Sequence, residues 1–279
     1  MLIDSLREAA IARDFPGMAD IDSSLMIFSQ VIKKHVTVAL SGECADEVFG
    51  GYPWFKNVSA EPMKMFPWVR NFDERMNIFS KEIRNIIKPK EYLEQRFREA
   101  IAEVPRLDGE TGHAARIREM FYINLTRWMP TLLDRKDRMS MACGLEIRVP
   151  FCDHRLVEYV WNVPWEMKYY DQIEKGLLRK SLEGVLPNDV LYRKKSPYPK
   201  THNPAYLNAM IQAVKEILND GNSPLLPLLD TKSLRKFIDS LTVDSNMPWF
   251  GQLMNMPQFL ASLFQMDIWM RHYRVQIKL

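Results

Sequence analysis

Val36-Thr37-Val38-Ala39-Leu40 runs without a break into Ser41-Gly42-Glu43-Cys44-Ala45-Asp46-Glu47 and then Val48-Phe49-Gly50-Gly51. The first five residues are short, apolar and β-branched, which predicts a buried strand. Leu25 to Lys34 upstream reads as a helix, with cap chemistry supplied by Asp22-Ser23-Ser24. A helix, a strand, a Gly-bearing turn and a second helix make one piece of an α/β sandwich. In open sheets of that kind, ligands bind beyond the carboxyl ends of the strands.

Strand signals fade after Gly51. Residues 1–13, Lys90 to Glu103, Gly112 to Gly144 (about two helices, divided near Pro130), Asp153 to Trp161, Glu174 to Gly184, Pro204 to Leu218 and Ser233 to Leu241 read as helices. Arg193 to Pro204, RKKSPYPKTHNP, is punctuated by proline and reads as a basic loop. The expected fold is therefore predominantly α-helical with a small parallel-sheet remnant. One strand cannot make a sheet, so either other strands hide in weak segments or the chain is part of a longer protein, and the second reading is favoured. The division expected is 1–60 as a partial α/β region and 61–279 as a helical part.

Composition narrows the function. The 279 residues carry 38 Lys plus Arg against 35 Asp plus Glu, a net charge of +3, which gives no electrostatic case for nucleic-acid binding. Three cysteines, Cys44, Cys143 and Cys152, form no CxxC, so neither a disulfide framework nor a zinc site is expected. Trp249 to Met270 is the most apolar stretch. It contains Asp267 and several amides, and its Leu253, Met256, Leu260, Leu263 and Phe264 fall at helical spacing. It reads as an amphipathic core helix and not a membrane span. The charged start MLIDSLREAA is unlike a signal peptide, and a cytoplasmic location is expected.

The sharpest chemical signal is the turn itself. Ser41 and Gly42 offer backbone donors close to a helix start, where anions are favoured. Glu43 and Asp46 place two carboxylates beside that anion site, an arrangement suited to a divalent cation bridging to phosphate. The same two residues also suit ordinary helix capping, and spacing alone leaves both readings open. Lys175 reads from local sequence as a solvated helix-surface lysine, and Arg193, Lys194 and Lys195 as a wet basic loop. The charges from Asp134 to Arg138 read as a structural salt-bridge and cap network around a buried segment, Glu146 to Phe151. The five histidines match no metal-binding spacing, and small-residue packing is the reading for Cys44.

Four segments together carry a resemblance. Ser41 to Tyr52, SGECADEVFGGY, resembles the SGE-x-x-DE-hydrophobic-Phe-GGY motif of glutamine-hydrolysing asparagine synthetases. LDRKDRMSMACGLEIRVPFCD, Leu133 to Asp153, is similar to that family's segment ending G-hydrophobic-E-x-R-V-P-F-L-D. IEKGLLR, Ile173 to Arg179, and PNDVLYRKKSPYP after it follow in the family's order.

The resemblance implies the C-terminal, synthetase region, with a PP-loop ATP pyrophosphatase-like α/β fold. It implies an enzyme that uses ATP and Mg²⁺ to convert aspartate to β-aspartyl-AMP, which ammonia from glutamine then converts to asparagine. Ser41 and Gly42 would contact ATP, and Asp46 would hold Mg²⁺ with pyrophosphate. Glu43 would support the intermediate and accept a proton from ammonia, and Lys175 would offset negative charge as the adenylate forms and breaks. The implied partners are these small molecules and an N-terminal glutaminase domain; oligomeric state, a homodimer included, stays open. The pattern departs at Cys44-Ala45, where the family usually has Gly-Ser, and at Cys152, where it has Leu. The SGGxDSS motif is missing from residues 1–279, and Met1 then reads as an artificial start. Two rivals remain: a related adenylating lactam- or amide-forming synthetase, and a non-catalytic helical scaffold.

If half of the phosphate cradle lies outside these residues, the chain alone should bind ATP only weakly and turn over no substrate. Calorimetry on residues 1–279 checks this, and micromolar affinity would overturn it.

Overall fold

A computed structural model describes residues 2–196, 198, 203–241, 248 and 254–278. Helix α1 spans Ser5–Arg13 and helix α2 spans Asp20–Lys33. Strand β1, Val38–Leu40, follows and leads through the turn into a short helix α3, Ala45–Phe49. A second strand β2, Glu146–Arg148, pairs with β1 in parallel, setting Val38 against Glu146, Ala39 against Ile147 and Leu40 against Arg148. The ladder continues past both ends of β1: Glu146 N–H donates to Thr37 O at 3.0 Å and Ser41 N–H to Arg148 O at 2.9 Å. Parallel pairing needs a long crossover, and here helices fill it.

The helical expectation holds over most of the chain. Pro89–Ala102, His154–Trp161 and Pro204–Asn219 lie where periodicity placed them, and Thr231–Asp239 starts two residues early. Gly112 to Gly144 does divide in two near Pro130, through a π-helical segment, Asn124–Trp128. Pro130 is the second residue of the next helix, Met129–Met141, which continues directly from the π-helical segment. The helix expected over Glu174 to Gly184 is shorter, Gly176–Ser181. Helix α2 begins before the Asp22-Ser23-Ser24 cap that the sequence suggested. Asp22 is fully buried inside the helix, where it accepts Met18 N–H at 2.7 Å and faces Arg13 at 3.3 Å.

Three expectations are corrected. Strand β1 is not buried: Leu40 is 74% exposed, because among the described residues only β2 flanks the strand. The Glu146 to Phe151 segment is likewise not buried, since Glu146 and Arg148 point to solvent from β2. Cys44 and Cys152 are joined in a disulfide, with Cα atoms 6.0 Å apart across 108 residues, which supersedes packing alone as the role of Cys44. Tertiary folding creates that proximity, and no local spacing announces it.

The core lies in two main bodies. Leu6 and Ile21 from α1 and α2 join Met210 and Leu260 from the last third of the chain. An aromatic cluster of Tyr52, Trp54, Phe55, Phe66, Trp68 and Trp128 packs the chain directly after α3. Tyr52 and Trp54 stack at 4.4 Å, and Trp54 meets Trp128 edge-on at 5.8 Å. Contacts of these kinds are worth about 0.5–1.5 kcal/mol each beyond area burial. The last helix, Met256–His272, starts where Gln258 reaches back to accept Asn255 N–H at 3.1 Å. Residues 249–253 of the expected Trp249 to Met270 helix lie outside the described residues, as do Pro197 and 199–202 of the expected basic loop. Among the described residues no helix is long and apolar enough to cross a membrane.

Glu47 anchors α3 to the aromatic cluster. Its carboxyl is buried and accepts the Tyr52 hydroxyl at 2.5 Å. Burial pushes the carboxyl up to about 7, with the Tyr52 hydrogen bond opposing and the Asp46 charge adding. A group raised in the folded state binds more protons there, so stability falls as pH rises from about 4.5 to about 7. Glu47→Gln keeps the acceptor and removes this loss. It should flatten the pH dependence and raise stability at pH 8 by about 2 kcal/mol, checked by urea unfolding at pH 5 and pH 8.

Candidate functional site

The turn between β1 and α3 projects from the carboxyl end of the strand, as the sequence suggested. Ser41 Oγ receives Glu43 N–H at 3.4 Å, which folds the turn back on itself. A Cβ added to Gly42 would meet nothing within 4 Å, so space lies open above the turn. Cys44 follows in the left-handed region, φ +73°, and the chain enters α3. Gly51 closes the far end of α3 because a Cβ there would land on the Asp46 carboxylate. The helix-start argument for anions is weakened: α3 has five residues and sums few peptide dipoles. Side chains supply the positive charge instead.

Asp46 is the junction of those side chains. Its Oδ1 accepts Lys175 Nζ at 2.8 Å and its Oδ2 accepts Lys195 Nζ at 2.8 Å. Lys195 also donates to Gly51 O at 3.0 Å and sits 4.3 Å from the Tyr52 ring centroid. Lys175 occupies a left-handed position, φ +56°, just before the Gly176–Ser181 helix. Gly176 is required there, since a Cβ would strike the Tyr170 backbone. These positions overturn the local readings of Lys175 as a solvated surface residue and of Lys195 as part of a wet loop. Both side chains are about four-fifths covered. The capping reading of Asp46 also falls away, because its oxygens face ammonium groups and α3 has no side-chain cap.

Glu43 gathers a second set of charges. Its Oε1 lies 3.2 Å from Lys136 Nζ and 3.5 Å from Arg135. Lys136 also donates to Ser41 Oγ at 3.0 Å. The second oxygen, Oε2, is buried and has no hydrogen-bond partner among the described residues. Arg135 and Lys136 come from the Met129–Met141 helix, which the sequence suggested was structural. Their role at Glu43 was missed because their partner lies over 90 residues away. Among the described residues no ion pair joins Glu43 to Lys175 directly, so the two belong to separate charge clusters, one gathered at Glu43 and one at Asp46.

A cavity of about 260 Å³ opens beside Asp46 and is lined by Lys175, Arg179, Arg193, Lys194 and Lys195. Five cationic side chains against one carboxylate suit a polyanion. Among the described residues no three His, Cys, Asp or Glu side chains gather to hold a metal. Asp46 is the one carboxylate lining this cavity among the described residues, and Mg²⁺ is usually held by one or two carboxylates together with substrate phosphates.

Burial would raise the Asp46 carboxyl, but Lys195 and Lys175 together outweigh it and hold the group below the ordinary carboxylate range. A group depressed in the folded state contributes stability in full above its unfolded value of about 4 and loses it as pH falls further. Asp46→Asn should therefore cost about 1–2 kcal/mol at pH 7 and remove part of the acid limb of the stability profile. Urea unfolding at pH 7 and pH 3 checks both.

Comparison with known proteins agrees with the motifs. A family profile described as asparagine synthase matches residues 1–271. The chain is 52% identical over 276 residues to "Asparagine synthetase [glutamine-hydrolyzing] 3" of Bacillus subtilis (strain 168), covering 99% of this chain and 45% of that protein. It is 30% identical over 232 residues to "Asparagine synthetase [glutamine-hydrolyzing] 1" of the same organism, covering 71% of this chain and 36% of the relative. A shorter match, 46% over 67 residues, joins it to "Asparagine synthetase [glutamine-hydrolyzing]" of Rattus norvegicus, covering 23% of this chain and 12% of that protein. The chain spans less than half the length of each of these curated relatives. The profile match, with 52% identity across nearly the whole chain, establishes that the chain belongs to the asparagine synthase family.

Proposed function

We propose that this region carries part of the synthetase centre of a glutamine-hydrolysing asparagine synthetase. It would form β-aspartyl-AMP and pyrophosphate from aspartate and ATP, then asparagine and AMP on attack by ammonia. The observation that carries this reading is the Glu43 carboxylate, with one oxygen anchored by cations and the other buried and unpartnered. A buried acceptor left open is costly unless a ligand completes it.

Glu43 Oε2 is then the base that takes a proton from attacking ammonia, while Arg135 and Lys136 fix the carboxylate's position. Ser41 and the open space above Gly42 receive ATP. Asp46 is the protein ligand to Mg²⁺, which supplies charge neutralisation on the pyrophosphate when bound. Lys175 and Lys195 are held in place by Asp46 and face the cationic cavity that would accept the phosphates. Lys175 offsets the negative charge that builds as the adenylate forms and breaks. In this reading residues 1–60 belong to the nucleotide-binding part and 61–279 to the helical part, acting with a glutaminase domain in the cytoplasm.

The test uses a full-length protein carrying this region. Lys175→Met keeps length and removes charge, and turnover should fall roughly a hundredfold to a thousandfold. Glu43→Gln is nearly isosteric and should lower asparagine formation by about a hundredfold or more. Acting on shared steps, the two losses should combine less than additively. Pyrophosphate release and ammonia-dependent asparagine formation are measured separately. Near-parental rates in both assays for a folded single variant remove that residue from the site.

A further inference from the structure

Cys44 is the residue between Glu43 and the Ala45–Phe49 helix that carries Asp46, so anything that moves it moves both carboxylates. Cys152 ends the 3₁₀ turn Pro150–Cys152 directly after β2. The disulfide between them ties the turn after one strand to the turn after its parallel neighbour. We infer that Cys44 and Cys152 form a reversible thiol–disulfide site that sets the rigidity of the turn bearing Glu43 and Asp46.

Three observations carry this. Cys44 is held at φ +73°, a conformation that residues other than Gly, Asn and Asp rarely adopt. Without a covalent anchor its backbone is free to relax toward negative φ, and the turn relaxes with it. The two sulfurs also differ in access: Cys44 is 3% exposed, whereas Cys152 is only partly covered and lies 3.8 Å from Met129 Sδ. An incoming thiolate therefore reaches Cys152 first. Lastly, the third cysteine, Cys143, is free and half-buried, packed against Met26 and Met139 carbonyls.

The chemistry balances as exchange with a dithiol. A reductant thiolate attacks Cys152 Sγ, forming a mixed disulfide and expelling Cys44 as a thiolate, which takes up a proton. The reductant's second thiolate then attacks its own sulfur in the mixed disulfide and releases Cys152, which is protonated in turn. Two electrons pass to the protein, and the reductant leaves as a cyclic disulfide. Re-oxidation by a small-molecule disulfide reverses both steps. The inference stands on turn geometry and holds whichever reaction the site performs.

The test poises the protein in buffers of defined dithiol-to-disulfide ratio. Reactive thiols are counted by alkylation under denaturing conditions and intact mass, and amide hydrogen exchange is followed across Gly42 to Val48. The oxidised protein should show one reactive thiol, Cys143, and the reduced protein three. Exchange at Cys44 to Val48 should accelerate at least tenfold on reduction. Cys152→Leu should exchange fast in both buffers, and Cys143→Ser should respond as the parent does. Three thiols in fully oxidising buffer, or equal exchange in the two states of the parent chain, would overturn the inference. The parent comparison needs no variant to fold, and loss of ATP chemistry would leave it unaffected.

Discussion

One carboxylate organises the candidate site. Asp46 binds Lys175, 129 residues later, and Lys195, 149 residues later, and so draws three separate segments to one point. Neither lysine would stay in place easily without it. Two ammonium groups that close repel each other, and each is largely covered, so water screens them poorly. Their shared counter-charge converts a repulsion into a fixed pair of cations at the mouth of a cavity. Glu43 does the same for Arg135 and Lys136 on the other part of the turn. The turn from Ser41 to Glu47 thus acts as an acidic spine on which basic groups from two distant helical regions are mounted.

The framework behind the spine explains why so short a helix suffices. Helix α3 has five residues and could not persist alone in water. It is held by Val48 and Phe49 packed against Val160, by the Glu47–Tyr52 hydrogen bond, and by the disulfide at its start. Tertiary contacts, and not helix propensity, fix the direction of Asp46. A site built on such support is preorganised as far as its neighbours are rigid.

The strand, the turn and most long helices were legible because their signals are local. Val36 to Leu40 announces a strand by composition, and helices such as Pro204–Asn219 announce themselves by apolar periodicity. Glu43 and Asp46 were legible locally as two carboxylates on a strand-to-helix turn, whereas Lys175 was legible only through motifs in a shared order. Lys195, Arg135 and Lys136 were not, because each is defined by a partner that chain folding brings from far away. The exposure of β1 was hidden for the same reason: burial depends on which strands flank it, and an apolar run carries no record of its neighbours. The Cys44–Cys152 bond was hidden by arithmetic, since an odd count with no close spacing argues against pairing.

The π-helical segment at Asn124–Trp128 carries one more consequence. A π-turn accommodates about one extra residue within a continuous helical path, and each residue turns a helix by about 100°. Everything downstream is rotated by that amount relative to an uninterrupted helix. Arg135 and Lys136 aim at Glu43 only with this rotation in place. Single-residue deletions across 124–128 would swing both side chains off the turn while leaving the helix itself intact. The length of this segment is therefore constrained independently of the packing of its side chains.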